Sequence, residues 1–231
     1  MSAPVLFLAD RGEAADLAAF LGRLLHYDKA AAVRLRAQAG GQALAVFGRP
    51  PSFEVLAVRT ARLLKPYENG IEDTLDVTVS AGELLDSLDE GTATATVPAA
   101  VTGPPWAGVL PPLGGWERVA GFPDADALRG LVKAAVAEFR ARVEELAPEE
   151  RTRGALDRIG GEVWSREIGD SGAPVRIVHA AASLGFLRGD EVDLLVAGAW
   201  VRLRTAYGSV AVRRASASAS ATLGGISLSP V

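Results

Sequence analysis

Residues 174–214, PVRIVHAAASLGFLRGDEVDLLVAGAWVRLRTAYGSVAVRR, decide the fold class. The stretch opens as a short buried helix and continues as a compact run of strands. Within it Trp200-Val201-Arg202-Leu203-Arg204 alternates with period two, so Val201 and Leu203 face one side of a strand and Trp200, Arg202 and Arg204 the other. An apolar face therefore backs an aromatic and cationic one. The turn Tyr207-Gly208-Ser209 sends the chain back through Val210 and Val212 to Arg213-Arg214, a β-hairpin.

Upstream of this unit the sequence supplies more strands and helices. Pro4 to Ala9 has strand length and is closed by Asp10-Arg11-Gly12, a turn or helix start. From Glu13 to Tyr27, Leu17, Phe20, Leu21, Leu24 and Leu25 recur at helical spacing and form one apolar stripe. Ala32 to Ala37 places Val33 and Leu35 opposite Arg34 and Arg36, Gly40-Gly41 turns the chain, and Leu44 and Val46 belong to the return strand. Further strands are expected from Phe53 and over Asp76 to Val79, with an acidic loop at Tyr67 to Asp73. Ser80 and Glu83 have capping-box spacing ahead of Leu84, Leu85 and Leu88, which predicts a short helix.

The N-terminal part thus reads β-α-β-β-β-β-α. Few, segregated helices and hairpin-length turns predict an α+β fold with a mostly antiparallel sheet and two helices in this part. The order of elements is loosely similar to that of sliding-clamp half-domains, a likeness of fold without a shared motif.

From Val97 to Pro123 six prolines punctuate a segment that also carries Trp106, Leu110, Leu113 and Trp116. Two indoles favour a docked connector over a free linker, because each has a large apolar area to bury. A proline-rich ligand for another domain is the alternative. Asp124 then opens the longest helix, which ends near Ala147-Pro148. Glu149 and Glu150 suit the first turn of a second helix carrying Leu156, Ile159, Val163 and Trp164, although Gly160-Gly161 weakens it. The third helix runs from Val175 to about Leu184. Three helices followed by a hairpin or meander form the C-terminal α+β unit. The expected organisation is 1–96 as an N-terminal domain, 97–123 as a packed Pro/Trp-rich connector, 124–214 as the C-terminal unit and 215–231 as a flexible Ser/Ala tail. A VRLR strand, a glycine turn and a valine strand occur both at 32–49 and at 200–214, an echo that a duplicated hairpin or chance would produce.

PPLGGWE (111–117), HAAASLGFL (179–187) and WVRLRTAYGSVAVR (200–213) resemble uncharacterised proteins of high-GC actinobacteria. The resemblance implies a bacterial cytoplasmic origin and no particular activity.

Composition narrows the function classes. The chain has no cysteine and two histidines, His26 and His179, so disulfides and thiolate metal sites are excluded and no metal or cofactor is expected. No apolar run approaches a membrane span, and Met1 to Leu8 is too short for a signal sequence, so a cytoplasmic protein is expected. The net charge of -4 is unevenly spread: +4 over residues 1–66, -8 over 67–100, -3 over 101–172 and +3 over 173–231. Basic ends around an acidic middle suit either intramolecular pairing or a polar partner surface.

GxxxxGK[ST], GxGxxG after a strand, GxSxG and HExxH do not occur. The leading candidate site is the face formed by Trp200, Arg202 and Arg204 with Arg213 and Arg214 across the hairpin. Guanidinium groups bind phosphate bidentately and stack on bases, as an indole does, so this face suits nucleic acid in the manner of a winged-helix hairpin. Ala181 and Gly185 have a helix-turn-helix look, yet Asp190, Glu191 and Asp193 would repel phosphate where a recognition helix should follow. The competing arrangement packs Trp200 under the first domain and pairs the arginines with the acidic 67–100 region. Arg213-Arg214-Ala215-Ser216 also has the look of a basophilic kinase site.

The sequence therefore predicts a non-enzymatic binding or accessory protein. Its expected partners are a protein, nucleic acid as the leading specific candidate, and a second copy of the chain, but not a membrane. The alternative is an enzyme with an unrecognised site, for which Asp10 and His179 are the first residues to test.

Overall fold

A computed structural model of the chain describes residues 3–51, 53–64 and 74–214. The acidic 67–73 loop, Ser216 and the 215–231 tail of the sequence reading lie outside the described residues. Helix α1 (Arg11–Tyr27) starts at Asp10, whose carboxylate accepts the Glu13 N–H at 2.9 Å, and buries Leu17, Phe20, Leu21 and Leu24. Strands β2 (Ala32–Ala37), β3 (Ala43–Gly48), β4 (Leu56–Arg62) and β5 (Leu75–Ser80) follow β1 (Val5–Phe7) and α1. The Ser80 hydroxyl accepts the Glu83 N–H and opens the short helix α2 (Ala81–Asp86), as the capping-box spacing predicts. Strands β6 (Leu88–Asp89) and β7 (Thr94–Thr96) join β1 in a separate three-stranded sheet of order β1-β7-β6.

In the C-terminal part Asp124 caps α3 (Ala125–Glu144) and Thr152 caps α4 (Arg153–Trp164). Helix α5 (Val175–Ser183) begins after Pro174 and ends at Gly185, whose φ of +73° reverses the chain. Strand β8 (Glu117–Arg118) precedes these helices, and β9 (Val192–Ala197), β10 (Trp200–Thr205) and β11 (Gly208–Arg213) follow them. No described helix is long and apolar enough to cross a membrane.

The structure moves three expected boundaries. The strand expected from Phe53 begins at Leu56, because Phe53 and Glu54 lie in a turn and Glu54 has φ of +53°. Glu149 and Glu150 form their own short 3-10 turn, since Thr152 is a better cap than anything before it. The hairpin turn is Ala206-Tyr207, set by the Thr205–Gly208 pairing, one residue earlier than Tyr207-Gly208-Ser209.

One antiparallel sheet of eight strands, in the order β5-β2-β3-β4-β11-β10-β9-β8, runs through both parts of the α+β fold. The join is β4 against β11, with Val58, Ala57 and Leu56 opposite Ser209, Val210 and Ala211. The order is palindromic about this join: β2-β3-β4 and β9-β10-β11 mirror each other, each set following a helix, α1 or α5. In that symmetry β2 corresponds to β9, whereas the VRLR echo links β2 to β10. The echo is therefore not a duplicated hairpin kept in register.

The inner face of the sheet carries Val33, Leu35, Val46, Ala57, Val201, Leu203 and Val210, all buried against Leu17, Phe20, Ile177 and Val178 of the helices. Each such large side chain contributes about 1.5–3 kcal/mol of burial. On the outer face the connector crosses from one edge of the sheet to the other. Ala100 bridges Val79 and the Val101 N–H donates to Thr78 O at the β5 edge. Trp106 and Leu110 pack on Phe47, Leu56 and Val58 in mid-sheet. Arg34 donates to Ala107 O, and β8 finally pairs with β9.

Candidate functional site

Register fixes what the outer face of the C-terminal strands presents. Across β4, β11, β10 and β9, one row reads Val58, Ser209, Arg204, Asp193; the next reads Leu56, Ala211, Arg202, Leu195, with Arg118 of β8 beyond. Trp200 stands opposite Arg213 on one side and Ala197 on the other. Period-two alternation thus gathers Trp200, Arg202, Arg204 and Arg213 on one face, while Val201 and Leu203 enter the core.

These cations differ in what holds them. Arg204 bonds Asp193 at 2.5 Å, and Arg118 reaches the other oxygen of that carboxylate at 2.7 Å, so two arginines share one counter-ion. Arg214 donates to Gly198 O at 3.0 Å, and Arg213 is exposed. Arg202 donates its Nε–H to Ser209 Oγ at 2.8 Å and lies 5.6 Å from the centre of the Trp116 ring. It has no carboxylate partner among the described residues. Burial, with Arg204 beside it, lowers its pKa from the usual arginine value. Arg202, Arg204, Ser209, Thr60 and Thr205 line a shallow hollow of about 200 Å³.

The acidic middle of the chain does not reach this face through any described pair. Asp76 instead pairs with Arg34 and Arg36 of β2, the hydrogen bond from Arg34 holding its carboxyl below the usual range. After Gly185 a short 3-10 turn (Phe186–Arg188) leads into β9, so no recognition helix follows α5 and the helix-turn-helix likeness stops there.

Asp10 and His179 have separate surroundings. Asp10 caps α1 and pairs with Arg62 at 3.0 Å. His179 of α5 stacks on Trp164 with ring centres 4.2 Å apart and tilts against Phe53 at 5.1 Å. Burial lowers its pKa, which favours the neutral imidazole. His26 lies in the last turn of α1 with its ring edge-on to Tyr27.

His179 also lines a groove of about 660 Å³ that sequence reading missed. Phe53 and Glu54 come from the loop before β4, Phe139 from α3, Asp157, Gly160 and Trp164 from α4, and Arg176 from α5. Gly160, which weakens the helix in the sequence, sits where an added Cβ would lie 3.4 Å from the Trp164 indole and 3.7 Å from Phe139. Glu54 pairs with Arg176 from a left-handed backbone that costs a residue with a Cβ about 1 kcal/mol or more. The glycine pair was the one local hint of this groove, because its walls come from separate segments.

The architecture is that of an α+β protein whose two parts share one antiparallel sheet and present a cationic-aromatic outer face. Residues 1–108 match the family described as Domain of unknown function (DUF8010), and residues 111–217 the family described as Domain of unknown function (DUF8185). The two matches together support an uncharacterised family. No curated protein matches the chain. Among solved structures, the DNA polymerase sliding clamp from Pseudomonas aeruginosa is similar at 15% identity and TM-score 0.47 over 92% of this chain. The DNA polymerase sliding clamp from Caulobacter crescentus is similar at 14% identity and TM-score 0.48 over 91% of it. The chain spans 64% and 65% of the length of those two structures.

Proposed function

We propose that the chain is a binding protein that contacts nucleic acid through the outer face of β9, β10 and β11, and that it works without chemistry of its own. The supporting observation is Arg202, a half-buried guanidinium on that face with Ser209 Oγ and the Trp116 ring as neighbours and no carboxylate among the described residues. Arg34, Arg59, Arg129, Arg142 and Arg176, similarly withdrawn from water, each pair with Asp or Glu, and half-buried Arg23, without a carboxylate among the described residues, donates to Ala19 O within its own helix. A desolvated cation without a fixed counter-ion attracts an anion from outside. Arg118 and Arg204 sharing Asp193, exposed Arg213 and half-buried Trp200 and Trp116 extend the face in the way that suits a phosphodiester chain with stacked bases. Trp200 and the arginines are assigned to binding on this reading, and protein partners are left the rest of the surface.

Fluorescence-anisotropy titration of labelled single- and double-stranded DNA and RNA tests the proposal, with wild type beside Arg202→Ala/Arg204→Ala and Arg213→Ala/Arg214→Ala. Binding that weakens at least tenfold in both variants, about 1.4 kcal/mol, is the expected result. No binding by wild type at low salt, or binding that neither variant alters, overturns it. The exposed Arg213/Arg214 pair guards against a variant that merely misfolds.

A further inference from the structure

The groove between Phe53, Trp164 and Arg176 has polar features that its own residues do not satisfy. Arg176 gives one terminal N–H to Glu54 and another to Ser165 Oγ, yet its Nε is buried without a hydrogen-bond partner. Its carboxylate partner is poorly placed: Glu54 is 69% exposed and reaches Arg176 at one nitrogen only, from a backbone with φ of +53°. A guanidinium binds carboxylate best through two parallel N–H groups, and Glu54 leaves that mode unused. Beside Arg176 the groove is walled by the rings of Phe53, Phe139, Trp164 and His179. Arg153 and Asp157 on its rim pair with each other at 3.8 Å, so they add no net charge to the mouth.

We propose that this groove binds a small aromatic carboxylate, whose carboxylate displaces Glu54 from Arg176 and whose ring lies against the wall formed by Phe53, His179, Trp164 and Phe139. The displacement replaces a contact made at one nitrogen by an exposed side chain and frees the Glu54 carboxylate to solvent. Glu54 is in this sense a placeholder. The groove's volume of about 660 Å³ falls within the range of small-molecule sites, about 300–1,000 Å³. The same chemistry occurs at the C-terminus of a peptide ending in an aromatic residue, so a free acid and such a peptide are separate arms of the test. The proposal is independent of the outer sheet face.

Isothermal titration of the full chain with indole-3-acetate, its neutral amide and an acetylated dipeptide ending in phenylalanine separates the cases. The acid is expected to bind about tenfold or more tightly than the amide, the difference that a charge-assisted bidentate pair gives. Tighter binding of the dipeptide than of the acid would identify a peptide terminus as the source of the carboxylate. Arg176→Gln should lose the preference for the acid. Glu54→Gln should bind the acid several-fold more tightly than wild type, and Glu54→Gly more tightly still, because each removes the internal competitor. Equal binding of acid and amide, weaker binding in the Glu54 variants, or no saturable binding to folded Glu54→Gly would overturn the proposal.

Discussion

Arg59 and Arg202 show how a guanidinium's surroundings separate structure from binding. Arg59 of β4 points into the helical layer, donating to Glu13 and Asp16 of α1 and to Tyr207 O in the hairpin turn. Its side chain is 6% exposed and that of Glu13 12%, but Glu13 keeps Arg62 at 2.8 Å and Asp16 keeps Arg188, so removing Arg59 loses buried hydrogen bonds without stranding a carboxylate. Arg59→Ala should therefore destabilise the protein by about 1–3 kcal/mol in urea denaturation. Arg202 should behave differently: Arg202→Gln removes no ion pair, and its effect should appear in binding before stability. His179 supplies a pH test. Its folded pKa lies below the ordinary imidazole value of 6.5 because the ring is buried, so in the folded chain the neutral form persists to lower pH. The stability this gives is complete above pH 6.5 and is lost as pH falls from there through the folded pKa. Urea midpoints at pH 7.5 and 5.5 should consequently differ more for wild type than for His179→Phe.

Most elements could be read from local chemistry. Asp10, Ser80 and Asp124 sit at helix caps because a short side-chain oxygen there accepts an otherwise unpaired N–H, a signal visible three residues ahead. The alternation of WVRLR gave the two faces of β10 for the same local reason. What could not be read was set by distant contacts. Phe53 and Glu54 turn although Phe53 suits a strand, because Phe53 packs on Tyr27 and His179 and Glu54 meets Arg176. Strands β6 and β7 are only two and three residues long, β7 pairing with β1 and β6 with β7, too short to show a period. The groove was illegible because rings from α3, α4 and the loop before β4 converge only after folding. At the hairpin, Gly208 has φ of +154°, and an added Cβ would stand 2.6 Å from the Phe186 ring. Gly208→Ala should lower stability by about 1–3 kcal/mol, read from the shift in thermal or urea midpoint, since strain and overpacking act together.

For the whole molecule, the eight-stranded sheet makes the two parts interdependent, and the connector across its outer face holds them from the other side. Trp106 anchors that crossing on Phe47, Leu56 and Val58. Trp106→Ala, at a half-buried position, should cost about 1–3 kcal/mol and speed amide exchange at Val101, Ala107 and Val109, whose N–H groups bond within or beside the crossing segment. The same crossing brings Trp116 to Arg202, so the proposed binding face joins the connector to the C-terminal hairpin.

The most direct test of that face is the salt dependence of nucleic-acid affinity for wild type, Arg202→Gln and Asp193→Asn. Asp193 now neutralises Arg118 and Arg204, so its removal releases two cations for phosphate. The account predicts that Asp193→Asn binds more tightly than wild type. Its slope of log affinity against log salt should be steeper by about 0.7 per added phosphate contact on a single strand, while Arg202→Gln is weaker and shallower. Equal slopes in all three proteins, or weaker binding by a folded Asp193→Asn, would contradict it.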